Sequence, residues 1–422
     1  MKALFYFGLT TALCSVCLQT QAETPATASQ LQLMVGAPPT DDRQVTVQNA
    51  LSPPFNRWSF LHMQELFPTR SIAPAAAPSE LPVNRIDISN VKVTFAEGRE
   101  TTAGAWLAEA YTDAFIVLHQ GAVVFEQYLN GQRPSTEHIM FSVSKSFTGT
   151  LVLMLAEEGL IDLSMPVAHY IPELKDSAFG GASVQQVMDM TNSIAYVETY
   201  DDPESDISRY FAAITPGGSG VYTYLTTLRD KLPGYEHGDA FHYVTPDTEV
   251  LGWLIRRVTG RSLSENVRQR IWLPMGAEFE ANYIVDSLGI EWAGAGLSTT
   301  LRDAARFGQM ILMNGMANGN QVLPHSIAQR LKTTRNVAQF TGYYKDLWYG
   351  GVTEAYHDQW WSYRDVAATA ALGIHGQFIY VNTDHNVVIV KQTSDPHAEI
   401  ERVDTETPMV LHAIAASLGA RP

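Results

Sequence analysis

The sequence predicts an α/β (α+β) fold: an antiparallel sheet flanked by helices, built from two separated stretches of chain, with an inserted, mostly helical domain. Three observations predict it. Strand pairs joined by turn residues stand near both ends of the chain. The patterns between them have helical spacing. The composition, 45% hydrophobic and 17% charged over 422 residues, is globular and large enough for two to three domain-sized units.

Met1-Lys2, an apolar run from Ala3 to Leu18 and the small residues Thr20 and Ala22 read as an export signal cut after Ala22. The run is short for a bilayer span, which needs ~20 residues. Both cysteines, Cys14 and Cys17, fall inside it, so the mature chain is expected to have no disulfide, no thiol nucleophile and no membrane anchor. Residues 23–80 read as an extended N-terminal segment, with Asn56–Phe60 able to start a helix and Ala73–Pro82 as a linker.

The sheet domain is expected over 81–150 and 295–422, the helical domain over 151–294. Phe115–Leu118 and Val123–Tyr128 flank His119-Gln120-Gly121, a hairpin signal. Phe378–Val381 and Val387–Val390 flank Asn382–Asn386, a second one. Helical spacing marks Phe147–Glu158 (stopped by Gly159), Val184–Met190, Glu249–Val258, Leu301–Met313 and Pro408–Leu418. The last has proline in its first turn, where a missing N–H costs nothing.

Asp and Glu number 44 against 28 Lys and Arg, without a basic run, so nucleic acid and anionic membrane surfaces are not expected partners. Ser219 lies in Gly217-Gly218-Ser219-Gly220, but Val221 breaks a G-x-S-x-G elbow. There is no H-E-x-x-H, cysteine pair or P-loop, so neither metal nor organic cofactor is expected.

Ser-x-x-Lys remains, and it occurs twice. In Ser89-Asn90-Val91-Lys92 the strand-like setting puts the two side chains on opposite faces. Ser142-Val143-Ser144-Lys145 opens an apolar helix. Three residues along a helix turn the side chain by ~300° and raise it ~4.5 Å, so Lys145 stands over Ser142, near enough to take its proton. The helix start adds N–H groups and a positive field suited to an oxyanion. A lysine acting as base needs a depressed pKa. The plainer alternative is an N-cap serine beside an exposed lysine.

Phe141–Phe147, followed by Gly159-Leu160-Ile161-Asp162-Leu163-Ser164-Met165-Pro166-Val167 and Tyr170–Leu174, resembles the serine β-lactamase and penicillin-binding-protein superfamily. The likeness is strongest to its class C-related branch of esterases and 6-aminohexanoate-dimer (nylon oligomer) hydrolases, and runs from about Asn56 to the C-terminus. It implies a β-lactamase-like fold. It also implies Tyr243, in Tyr243-Val244-Thr245, as general base and acid coupled to Lys145, with Thr245 where the family has an amide or serine. Gly373-Ile374-His375-Gly376-Gln377 takes the place of the Lys-Thr-Gly strand. By the resemblance the N–H groups of Ser142 and Gln377 form the oxyanion hole, and Tyr196, Thr245, Ile374, His375 and Gly376 bind substrate. Ile374 stands where the family's lysine would hold a β-lactam carboxylate, unless His375 or an arginine substitutes. Tyr196, Tyr200, Asp201 and Asp202 resemble a loop at the cleft rim. Trp348, Tyr349, Trp360 and Trp361 are candidates for an apolar wall, and Arg302 and Asp303 for structural roles.

The expected function is an exported serine hydrolase acting on a small amide or ester through an acyl-enzyme. A class C-like β-lactamase or DD-peptidase is the alternative. A non-catalytic binding protein on the same scaffold is the alternative from another class.

Overall fold

The computed structural model describes residues 24–95, 98–343, 353–363 and 366–420. The expected export signal, Trp348 and Tyr349 lie outside them.

The centre is a seven-stranded antiparallel sheet in the order Thr353–His357, Trp360–Tyr363, Ala368–Gly373, Gln377–Asn382, Val387–Thr393, Thr112–His119, Ala122–Tyr128. Both predicted hairpins are present, and Val387–Thr393 joins them through Val390 opposite Ile116. Gln120 and Gly121 turn the first hairpin with φ of 51° and 83°, the left-handed pair such a tight turn needs.

Alternation along the strands divides two cores. Ile116, Leu118, Ile379, Val388 and Val390 face the helices Val143–Glu157 and Leu301–Leu312 through Leu151, Phe147 and Phe307. Phe115, Val117, Phe378, Tyr380 and Ile389 face the other way, onto Trp106 and the terminal helix Thr407–Gly419 through Val410, Leu411 and Ile414. Central strands covered on both faces read as near-continuous apolar runs. Gly308 lets its helix sit directly on the sheet, since a Cβ there would lie 2.7 Å from Val388 Cγ1.

The N-terminal segment departs from the extended reading. Asn56–Ser59 and Met63–Leu66 are short helices, and Thr69–Ile72 is a strand paired with Ala281–Ile284. Burial of Phe60, Met63, Phe67 and Ile72 in the main core outweighs the weak local pattern. That pairing belongs to a four-stranded sheet completed by Leu297–Thr299 and His138–Ile139, so a strand also lies inside the stretch expected to be helical. The same sheet brings residues 293–297 under the start of helix Val143–Glu157.

Candidate active site

Ser142 ends a turn and begins a helix. Phe141 before it holds φ of 45°, and Ser142 is the N-cap of Val143–Glu157, with its own side chain making no capping bond. A left-handed conformation at a bulky residue is costly and aims the next side chain out of the regular path. The other two serines of the motif are structural: Ser144 Oγ donates to Phe141 O (2.6 Å) and accepts from Leu297 N (3.0 Å), and Ser146 Oγ donates to Gln359 O (2.7 Å).

Lys145 is 2% exposed, and its Nζ donates to Ser142 Oγ (2.8 Å) and to Gly294 O (2.9 Å). The exposed-lysine alternative is thereby excluded. Burial lowers its pKa to about 8, against the opposing pull of Glu198, Glu249 and Asp247. Nζ also stands 5.2 Å from the ring centroid of Tyr243. Tyr243 is stacked on Trp361 (5.6 Å between centroids, 21° between planes) and edge-on to Tyr356. Ser142, Tyr243 and Trp361 line one narrow pocket with Tyr200, Leu372, Gly373, Ile374, Phe378, Glu399 and Asp404.

Three acids around Lys145, Asp247 and Glu249 buried and Glu198 half-buried, were not singled out from the sequence. Glu249 accepts from Ala293 N, Gly294 N and Tyr210 OH at 3.0, 2.9 and 2.6 Å, and burial pushes its pKa up to about 7. It therefore holds the turn whose carbonyl receives Lys145. Glu198 accepts from the backbone N–H of Thr245, from Thr245 Oγ1 (3.0 Å) and from Tyr200 OH (2.9 Å). Asp247, fully buried, accepts from Asn192 Nδ2 (2.9 Å), and burial keeps its carboxyl well above the usual range. For two of them the available signal was acid at the start of a helix that continues as the apolar run Val250–Ile255.

Several expected substrate contacts lie elsewhere. Thr245 spends its hydroxyl on Glu198. Tyr196 is packed in the core at 3% exposure, its carbonyl accepting from His242 Nε2, while Tyr200 of the same loop reaches the pocket. Asp201 and Asp202 are exposed. Ile374 lines the pocket, but His375 turns away: its φ is 61°, its Nδ1 meets Asp395 O (2.7 Å), and burial lowers its pKa to about 4. It is a neutral core histidine and supplies no charge for a carboxylate. Gly376 faces the neighbouring strand, where a Cβ would meet Thr393 and Lys391.

Gln377 also stands away from the pocket. It is fully buried, pairs with Gly373 across the hairpin, and its side chain donates to Thr393 O (2.7 Å). Gly373 instead approaches the serine: a Cβ on it would lie 3.2 Å from Ser142 N. Of the aromatic-wall candidates, Trp361 lines the pocket and Trp360 is buried in the main core. Arg302 pairs with Glu126, and Asp303 accepts from Glu278 N and Phe279 N, both structural contacts. Ser89 sits at a turn with Lys92 exposed, and Ser219 is exposed.

Comparison with known proteins gives the family. The family model described as Beta-lactamase matches residues 107–412. A 6-aminohexanoate-dimer hydrolase of Paenarthrobacter ureafaciens is 35% identical over 354 residues, 81% of this chain and 86% of that protein. A solved Bacillus anthracis structure, assigned as a 6-aminohexanoate-dimer hydrolase, superposes with a TM-score of 0.80 at 34% identity, over 92% of this chain and 100% of its own. A family VIII carboxylesterase shares the fold, with a TM-score of 0.55 at 16% identity over 73% of this chain and 93% of its own. By these matches this chain belongs to the beta-lactamase family and is a serine hydrolase similar to the 6-aminohexanoate-dimer hydrolases.

Proposed function

We propose that this serine hydrolase is exported and cleaves a small amide or ester through an acyl-enzyme, with a linear amide of the 6-aminohexanoate-dimer type as first choice. The observation that carries the mechanism is the 2.8 Å bond between Lys145 Nζ and Ser142 Oγ, made by a lysine whose pKa is lowered to about 8. Ser142 Oγ attacks the carbonyl carbon, and its proton passes to the Tyr243 oxygen, whose phenolate Lys145 stabilises. The N–H groups of Ser142 and Ile374, rather than Gln377, receive the oxyanion; Gly373 without a Cβ is what lets that peptide come close. Collapse expels the amine or alcohol with the proton held by Tyr243, and water repeats the sequence to free Ser142.

The choice of an amide rests on the names of the two relatives at about one-third identity. A β-lactamase or DD-peptidase role is weakened by Ile374 and by the neutral, buried His375, which leave a substrate carboxylate unheld. Export rests on the Met1–Ala22 pattern alone. Labelling with a fluorophosphonate, followed by p-nitrophenyl esters and the 6-aminohexanoate dimer, tests the proposal: loss of label in Ser142→Ala with turnover by the native protein supports it. Undiminished labelling in a folded Ser142→Ala protein overturns it.

A further inference from the structure

We propose that a second cavity, roofed by the N-terminal segment and the end of helix Asp206–Ile214, binds an uncharged aryl carbonyl compound of about the size of a substituted benzene ring. It stands whether or not the hydrolytic reading holds.

This cavity has a volume of about 180 Å³ and shares no lining residue with the pocket of Ser142. Its floor is closed and apolar. Ile139 and Ile284 reach it from two strands of the four-stranded sheet, and Phe67, Phe141 and Trp292 complete it, all of them buried. Its rim is different. Val47, Leu51, Phe211 and Thr215 are half-buried and Gln48 is exposed, so the cavity opens to solvent on that side only past an amide and a hydroxyl.

The lining decides what fits. It holds no acid, lysine, arginine or histidine, so nothing there offsets the cost of taking an ion out of water. Four of its side chains are aromatic rings, and two of them, Phe67 and Trp292, already meet edge-on at 5.6 Å and 68°. A further ring gains edge and face contacts in such a corner that an alkyl chain does not. A dry apolar cavity of about 150 Å³ takes up benzene, so this one admits a ring with one small substituent. A carbonyl on that substituent would lie at the rim, where the Gln48 amide and the Thr215 hydroxyl can donate to it. The cavity also lies directly behind the reacting groups. Phe141 precedes Ser142 in the chain, and Ala295 follows Gly294, whose carbonyl receives Lys145. An occupant bears on both supports from behind without entering the pocket where Ser142 is exposed.

The probe is 4-fluoroacetophenone, followed through its fluorine NMR line as protein is added. Binding is expected in the millimolar range or tighter, the scale for a ligand of so few atoms. It should be the same before and after Ser142 is blocked with a fluorophosphonate. Acetophenone should displace the probe, and benzoate at equal concentration should not. Val47→Phe and Leu51→Trp each push a ring into the cavity from its rim, and each should weaken binding at least tenfold in protein that melts as cooperatively as the native chain. The proposal is overturned if the line is unchanged at about 10 mM probe, well past the expected range, or if blocking Ser142 abolishes binding, which would place the ketone in the catalytic pocket. Native affinity in the two folded variants, or equal competition by benzoate, overturns it as well. Failure of Ser142 to take the label would instead count against the hydrolytic reading, and the comparison of native and variant chains would still decide the cavity.

Discussion

Ser-x-x-Lys occurs twice in this chain, and the two copies share letters and nothing else. Ser89 sits in a turn, its N–H bonded to Asp87 Oδ1, and Lys92 projects into solvent from the short strand Lys92–Thr94. Ser142 and Lys145 stand on one face of a helix, joined at 2.8 Å and almost fully buried. An exposed ammonium keeps its water and its ordinary proton affinity, whereas removal from water disfavours the charged form and turns lysine toward base chemistry. The motif acquires meaning from the dihedrals and the burial around it.

The most drastic way to break this comparison is to remove each serine in turn. Ser142→Ala should abolish covalent labelling and turnover, while Ser89→Ala and Ser219→Ala should leave both unchanged, as read by gel labelling and ester kinetics. Loss of activity in the Ser89 variant would mean that the exposed copy matters.

Next in size are the lysines. Lys145→Ala and Tyr243→Phe should each lower kcat by at least ~100-fold, with the double variant little worse, because the two groups handle one proton. Lys92→Ala should remain within twofold of the native rate. Multiplicative losses at Lys145 and Tyr243 would show that they act separately.

How much of this was legible beforehand differs along the site. Helix geometry alone placed Lys145 over Ser142, and the flanking apolar run marked the helix. The central strands and both hairpins were readable because alternation and turn residues are local. The N-terminal strand Thr69–Ile72 was not, since its partner lies more than two hundred residues away at Ala281–Ile284. Gln377 lies outside the pocket lining for a conformational reason. The chain reverses over Ile374–Gly376 with positive φ at both His375 and Gly376, which ends the strand at Gly373 and points His375 into the core. A positive φ at histidine leaves no mark in residue type. Glu198, Asp247 and Glu249 stayed hidden because an acid's burial depends on which distant turn folds over it.

The substrate side sharpens the contrast further. With Ile374 in the pocket and His375 neutral, nitrocefin should be turned over at least ~10- to 100-fold less efficiently than a short-chain p-nitrophenyl ester, the scale of one lost charge-assisted bond. Steady-state kinetics on one preparation decides it; equal kcat/KM values would mean that the carboxylate is held by a contact outside this pocket.

The pH profile probes the buried lysine directly. With the lysine's pKa lowered to about 8, the Lys145–Tyr243 pair should lose its one proton near that value, leaving the phenolate beside the ammonium, so kcat/KM for an uncharged ester should rise about tenfold per pH unit below it and level off above it. A flat profile from pH 6 to 8 would argue that no proton is lost from the Lys145–Tyr243 pair on the way to the active form.

The smallest effect expected, and the most specific, is at Glu249. Its carboxylate holds the N–H groups of Ala293 and Gly294, and Gly294 O in turn receives Lys145. Its charge also works on Lys145 through space, raising the lysine's proton affinity against the effect of burial. Glu249→Gln keeps the shape but turns one acceptor into a donor facing an N–H, so one bond to the turn is lost and Lys145 is held less firmly. kcat should fall about five- to tenfold, the cost of one misplaced hydrogen bond, with little change in KM. Removing the carboxylate also removes an attraction that favours the protonated lysine, so the midpoint of the pH profile should move downward, since Glu249, with a pKa of about 7, is largely ionised there. A merely structural role would lower kcat and leave the midpoint in place. A midpoint that moves upward would require the carboxylate to have been destabilising the lysine's charge, opposite to its position beside Lys145.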